Sequence, residues 1–393
     1  MKGYIDRSVL FPLLFHSFFM QLCIAMLRVT TSYRVLELDL PVVWLGLISG
    51  TFALLPVFLA VSVGRFIDRG NDARAAWIGS SLVVGPAILF YFWPGTPFLL
   101  LIYTLLLGVG HLFIMASHQM LCVRAGGDHG RDFAFGNFTV AQALGQGCGP
   151  LIIGWIGGAA RIPETHFLFG IATAGSILAM LIGFSLRPID SALRRKRDEP
   201  HIPVLELLRI DGLIAILAAS VISITASDLL PIYLPLLGTE RNIDVSQIGT
   251  ILSVRAAASI ASRMGYASVV QILGRKRMTV YSMILSGVGF LCLAAPMPIW
   301  GLYIAAVIVG LGLGVASTIS ITSIVDLVPI QARGTAMTLR ITGNRVGQVL
   351  VPLAGSFIAA LSGAAGMLGI IAVSLIGSGL SVHAGNKNKR QVK

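Results

Sequence analysis

In 393 residues the chain holds 55% hydrophobic and only 12% charged side chains, with a mean hydropathy of +0.85. Soluble domains carry about 25% charged residues, so a water-soluble globular fold is excluded. The net charge of +12 raises nucleic acid as a partner, and the placement of the positive residues decides that question.

Twelve apolar runs of about bilayer length follow one another, at 9–33, 42–63, 76–93, 98–121, 133–157, 166–186, 210–236, 245–264, 278–295, 299–325, 334–361 and 364–384. They predict an all-α integral membrane protein of twelve transmembrane helices. MKGYIDRS leads straight into the first run without a small-residue cleavage site, so the first helix is expected to be retained. An even number of spans puts both ends on one side. With both termini placed in the cytoplasm, 22 of the 29 Lys and Arg fall on the inner side. Only Arg34, Arg161 and Arg241 fall outside, and Arg28, Arg255, Arg340 and Arg345 lie within helices. That bias is the positive-inside rule, so both ends are expected to face the cytoplasm and nucleic acid is not needed to explain the charge. The expected location is the inner (cytoplasmic) membrane. The cysteines, Cys23, Cys122, Cys148 and Cys292, sit in or at the ends of helices, so no disulfide framework, metal site or cofactor is expected.

Taken in order, the first run carries His16, Arg28 and a row of phenylalanines. The second and third are joined by 64–74, GRFIDRGNDAR. The fourth carries His111 and His118, and the fifth Gln142 and Gln146. Residues 187–201, RPIDSALRRKRDEPH, form the one long charged connector. The expected organisation is a bundle over 1–186, a cytoplasmic linker over 187–207 and a second bundle over 208–393. The seventh run holds Asp228, the one clearly embedded carboxylate. Arg255 lies roughly 15 Å into the eighth, and 267–277, ASVVQILGRKR, follows it. The eleventh is the most polar, with Arg340, Asn344, Arg345 and Gln348.

The eleventh run also has an echo. At an offset of 202 residues Arg131 matches Arg333, Ala134 Ala336, Gly145 Gly347, Gln146 Gln348, Pro150 Pro352 and Leu151 Leu353. The same offset pairs Gly108 with Gly310 and Gly110 with Gly312, and an offset of 203 pairs Gly46 with Gly249. Two pseudo-symmetric six-helix bundles are the simplest reading.

The 64–74 loop resembles a signature of the major facilitator superfamily: Gly64, then Asp68 four residues later, then basic residues. In that family such residues latch the inner helix ends while the transporter faces outward. The resemblance assigns this role to Gly64, Arg65, Asp68, Arg69 and Arg74. In the second half it assigns the role to Gly274 and Arg275, where Gln271 replaces the aspartate. Ordinary positive-inside loop charges remain the alternative. Gly145, Gly149, Pro150 and Gly154 resemble the glycine-proline motif of the drug/proton-antiporter-like members, with the last glycine one place late. The arginine expected early in the fourth helix is missing, where 103–111 reads YTLLLGVGH.

Embedded charges are the best pointers to a site, because each costs about 2.5–3.5 kcal/mol at mid-membrane on insertion scales. Arg340, Asn344 and Gln348 recur at i, i+4 and i+8, so they share a face. Gln142 and Gln146 do the same in the fifth helix. The expected substrate-binding set is therefore Arg255, Arg340, Asn344, Arg345, Gln348, Gln142, Gln146 and His111, facing an anionic group. Structural pairing of these arginines is the alternative. Asp228 is expected to carry a proton or to close an outer gate with Arg28. The function that follows is a monomeric secondary transporter moving a small organic solute by alternating access, coupled to protons. The helix-five motif favours efflux of amphipathic compounds, and the arginines favour uptake of an anionic metabolite or iron chelate. A non-transporting receptor on the same fold is a third reading, and no catalytic set is present.

Overall fold

The computed structural model describes residues 7–93, 95–186, 204–329 and 333–384. The described residues are helical apart from short connections, as lipid demands of any backbone that must satisfy its own hydrogen bonds. In order run α1 (Arg7–Glu37), α2 (Val43–Asp68), α3 (Asp72–Phe92), α4 (Pro97–Gly157) and α5 (Thr165–Gly183). A short α6 (Val204–Leu208) precedes α7 (Leu213–Arg241), α8 (Val245–Leu273), α9 (Arg275–Ala294), α10 (Ile299–Leu327) and α11 (Arg333–Ala384).

Two of these helices each cross twice. A straight 27-residue stretch would be about 40 Å long, yet within α4 Gln142 Nε2 donates to Met115 Sδ at 2.8 Å. The chain therefore doubles back inside α4 and makes the fourth and fifth spans. In α11 Gly363 adopts φ 68°, a conformation that favours glycine, and separates the eleventh span from the twelfth. Among the described residues this makes twelve spans in two bundles of six. The expected linker at 187–207 lies mostly outside the described residues, which resume at Val204.

The side on which α1 begins also carries Arg65, Arg69, Arg124 and Arg275, and is called the basic face below. Toward the opposite face the two bundles touch closely. A Cβ on Gly46 of α2 would run into Pro352 O and Ser356 of the eleventh span, and one on Gly249 of α8 into Pro150 O of the fifth. Ser253 Oγ donates to Gly147 O at 2.7 Å across the same seam. Val245 N and Ser246 N donate to Ala160 O and Gly158 O at 2.9 and 3.1 Å. One apolar core runs through this region and draws on both halves, from Met20 and Leu45 to Leu230 and Leu368. On the basic side the cores part. Val9, Leu13, Leu121 and Phe138 form one cluster, and Leu207, Leu213, Ile324 and Ala336 another.

Candidate functional site

Between the bundles, just below the sealed seam, lies a cavity of about 90 Å3. The first half lines it with Gln21, Ile24, Ala25, Arg28, Val29, Phe52, His111, Gln146 and Pro150. The second half supplies Ser227, Asp228, Pro231, Leu252, Arg255, Arg345 and Gln348. Three guanidinium groups thus face one carboxylate.

Asp228 is the hub. Its Oδ1 stands 3.4 Å from Arg28 Nη1, and its backbone carbonyl accepts from Arg28 Nη2 at 3.4 Å. Its Oδ2 accepts from Gln348 Nε2. The other end of that amide, Gln348 Oε1, accepts from Arg345 Nη1 at 3.2 Å. A single run, Arg345 to Gln348 to Asp228 to Arg28, therefore crosses from the second bundle to the first. The Arg28 guanidinium also lies 4.6 Å from the centroid of the Phe52 ring, a cation–π distance. The Arg28–Asp228 pair expected from the sequence is present. Gln348, expected to touch substrate, braces the pair as well.

Arg255 is only 8% exposed, and Nη1 donates to Ser227 Oγ at 3.1 Å. Its Nε has no partner among the described residues. Neither Arg255 nor Arg345 meets a carboxylate within salt-bridge distance among them. Burying a cation without a counter-charge is costly, so such a group calls for an anion. His111 joins this wall, with Nε2 3.3 Å from Gln21 Nε2 and Nδ1 unpartnered.

Part of the expected set lies off this cavity. Arg340 and Asn344 do not line the cavity. Asn344 Oδ1 accepts from Ser220 Oγ at 3.2 Å inside its own bundle, and Arg340 is 9% exposed with Nε unpartnered. Gln142 turns to Met115 while Gln146 reaches the cavity. The reason is geometric. Each i to i+4 step overshoots a full turn by about 40°, so a stripe aimed at the cavity at Gln348 has swung about 80° away at Arg340.

The first-half residues of the expected latch are not joined to another helix end among the described residues. Arg65, Asp68 and Arg69 are exposed and make no side-chain hydrogen bond or ion pair among the described residues. Arg74 reaches only Asn71, at 3.2 Å. Gly64 and Gly274 have open space around them, and Arg275 opens α9. The pair that does join helix ends on this face is Asp72 with Arg124, 2.6 Å apart and buried. Ser117 Oγ adds a bond to Asp72 O at 2.6 Å. Sequence reasoning missed it, because Arg124 reads as one more inner-loop charge. The helix-five motif splits its work: Gly145 and Gly149 pack on α1 at Phe18 and Leu22, while Pro150 and Gly154 pack on α8 at Gly249. Gln21, Phe52 and Ser227 also escaped notice, since neutral residues in an apolar run carry no signal of their own.

The sequence matches the family described as Major Facilitator Superfamily over residues 13–233 and 216–385. No curated protein matches it significantly. Among solved structures, a mutant of the nucleoside transporter NupG superimposes with a TM-score of 0.81 at 14% identity, covering 96% of this chain and 99% of that one. A POT family transporter in complex with a thioalcohol-conjugated peptide gives 0.78 at 12%, covering 96% of each chain. A bacterial homolog of the human lysosomal transporter Spinster, inward-facing and occupied, gives 0.75 at 13%, covering 98% and 97%. At such identities the likeness is one of fold.

Proposed function

The chain belongs to the major facilitator superfamily, and we propose that it is a secondary transporter for a small organic anion, coupled to protons. The family makes it a multi-pass membrane transporter. The observation that carries it is the charge of the cavity: Arg28, Arg255 and Arg345 against Asp228 alone. Arg28 and Asp228 answer each other, which leaves two guanidinium groups for the solute. A carboxylate or phosphate ester bridging Arg255 and Arg345 supplies the missing charge, and the amides of Gln21 and Gln146 can orient its neutral part.

The seam at the opposite face is shut, and on the basic face the cores of the two bundles part and Arg65, Asp68 and Arg69 stand exposed, which supports a state open toward the basic face. With that face cytoplasmic, as the positive charges suggest, this is the inward-open end of an alternating cycle. The Arg28–Asp228–Gln348 bridge acts as the inner surface of the closed gate and parts when the bundles rock.

A second reading is efflux of amphipathic compounds. Ile24, Val29, Phe52 and Leu252 give the cavity an apolar side, and the helix-five motif packs the seam. A thermal-stability screen of purified protein separates the two. Succinate, benzoate and hexose phosphate are expected to raise Tm, and tetraphenylphosphonium to leave it unchanged. Stabilisation by the hydrophobic cation alone would replace the anion reading with efflux.

A further inference from the structure

The first bundle holds a polar pair outside the cavity. His16 of α1 and His118 of the fourth span are both fully buried. His16 Nδ1 lies 2.6 Å from His118 Nε2, with the rings crossed at 80°. A serine closes each end. His16 Nε2 is 3.0 Å from Ser80 Oγ, and His118 Nδ1 is 2.9 Å from Ser17 Oγ.

Counting hydrogens fixes the neutral state. Ser80 commits its hydroxyl to Ala76 O at 2.7 Å, so toward His16 it accepts, and His16 Nε2 carries a hydrogen. The Nδ1 of neutral His16 is then bare and accepts from His118 Nε2–H. That leaves His118 Nδ1 bare, and it takes the Ser17 hydroxyl. Every donor and acceptor is matched with both rings neutral.

One further proton has a place to go. It binds the His118 Nδ1 lone pair, and the Ser17 hydroxyl turns to accept from the new N–H. Transfer of the Nε2 proton to His16 Nδ1 then moves the charge to the other ring without any other rearrangement. A second proton would set two N–H groups against each other across 2.6 Å. We propose that His16 and His118 form one proton-binding site that holds a single proton inside the first bundle.

Its position ties it to the cavity. Gln21 is one turn beyond Ser17 on α1, and His111 is two turns before His118 on the fourth span. These two residues meet each other at 3.3 Å and line the cavity. The pair is thus about 10 Å from His111 at the edge of the cavity, along one shared helix. The surrounding elements bring no counter-charge against it. The third helix offers Ser80, the fifth span Phe138 with its ring centroid 6.0 Å from that of His118, and α5 the backbone at Gly183. His111 and Cys122 are the titratable neighbours on the fourth span, and Asp72 is engaged by Arg124. A proton here adds positive charge near an anion cavity, so proton and anion favour each other's binding. That consequence, unlike the site, rests on the anion reading.

The test is 15N NMR of histidine-labelled protein in nanodiscs, titrated without any solute, with Ser17→Ala and His118→Gln for assignment. The expected result is two neutral rings protonated at Nε2 at high pH. One proton then enters in a single step that shifts both rings together, and this step moves to lower pH in Ser17→Ala. Two independent titrations, or rings that stay neutral until the protein unfolds, would overturn the proposal. Because no solute is present, failure here and failure of the anion reading are separate results.

Discussion

Arg28 and Asp228 stand 200 positions apart in sequence and 3.4 Å apart in space, where α1 meets α7 beneath the closed seam. Each is partly exposed, at 17% and 31% of its side chain, so the pair borders the cavity it helps close. Removing either charge leaves the other facing Arg255 and Arg345 without its partner. Arg28→Asp and Asp228→Arg are each expected to reduce transport at least tenfold, and the double swap to recover part of it. The readout is flux in proteoliposomes at equal protein content.

The cavity wall makes a sharper contrast. Arg255→Gln and Arg345→Gln are expected to weaken anion binding at least tenfold, about 1.4 kcal/mol, with the fold intact. Arg340→Gln and Asn344→Ala lie off the cavity and are expected to change the affinity less than twofold. Isothermal titration with the anion that stabilises the wild type gives both numbers.

Gly46 and Gly249 are paired by the sequence repeat and sit at two corresponding points of the seam. Any side chain there strikes the facing helix across the bundle interface. Gly249→Leu is expected to hold the opposite face open without unfolding either bundle. Spin labels at Ala159 and Leu361 would then move apart relative to wild type. Gly108 and Gly310, the matching pair that packs within each bundle on Phe52 and Arg255, should instead lower Tm when replaced by leucine.

On the basic face Asp72 and Asp68 separate structure from switching. Asp72 is wholly buried against Arg124, and breaking such a pair costs about 3–5 kcal/mol. Asp72→Asn is expected to show that loss in denaturant unfolding. Asp68→Asn is exposed and should change stability by less than about 0.5 kcal/mol, while altering the rate at which the outward-facing state forms.

Much of this was legible in the residues themselves. Apolar run length marked the spans, the offset of 202 marked the two halves, and embedded charge marked Arg28, Asp228, Arg255 and Arg345. What escaped was pairing across distance. His16 and His118 stand out singly as histidines in lipid, but nothing in their local sequence says that helices one and four bring them ring to ring. Asp72 and Arg124 hide for the same reason. The stripe of Arg340, Asn344 and Gln348 differs: helical periodicity brings it to the cavity at one end only, because the face turns as the helix rises.

The most direct test of the central claim is uptake of a stabilising carboxylate or phosphate ester into proteoliposomes containing wild type or Arg255→Gln. The prediction is saturable flux in wild type, inhibited by other anions and lost in the variant while Tm is kept. Equal flux in the two proteins, or flux of hydrophobic cations alone, would contradict it.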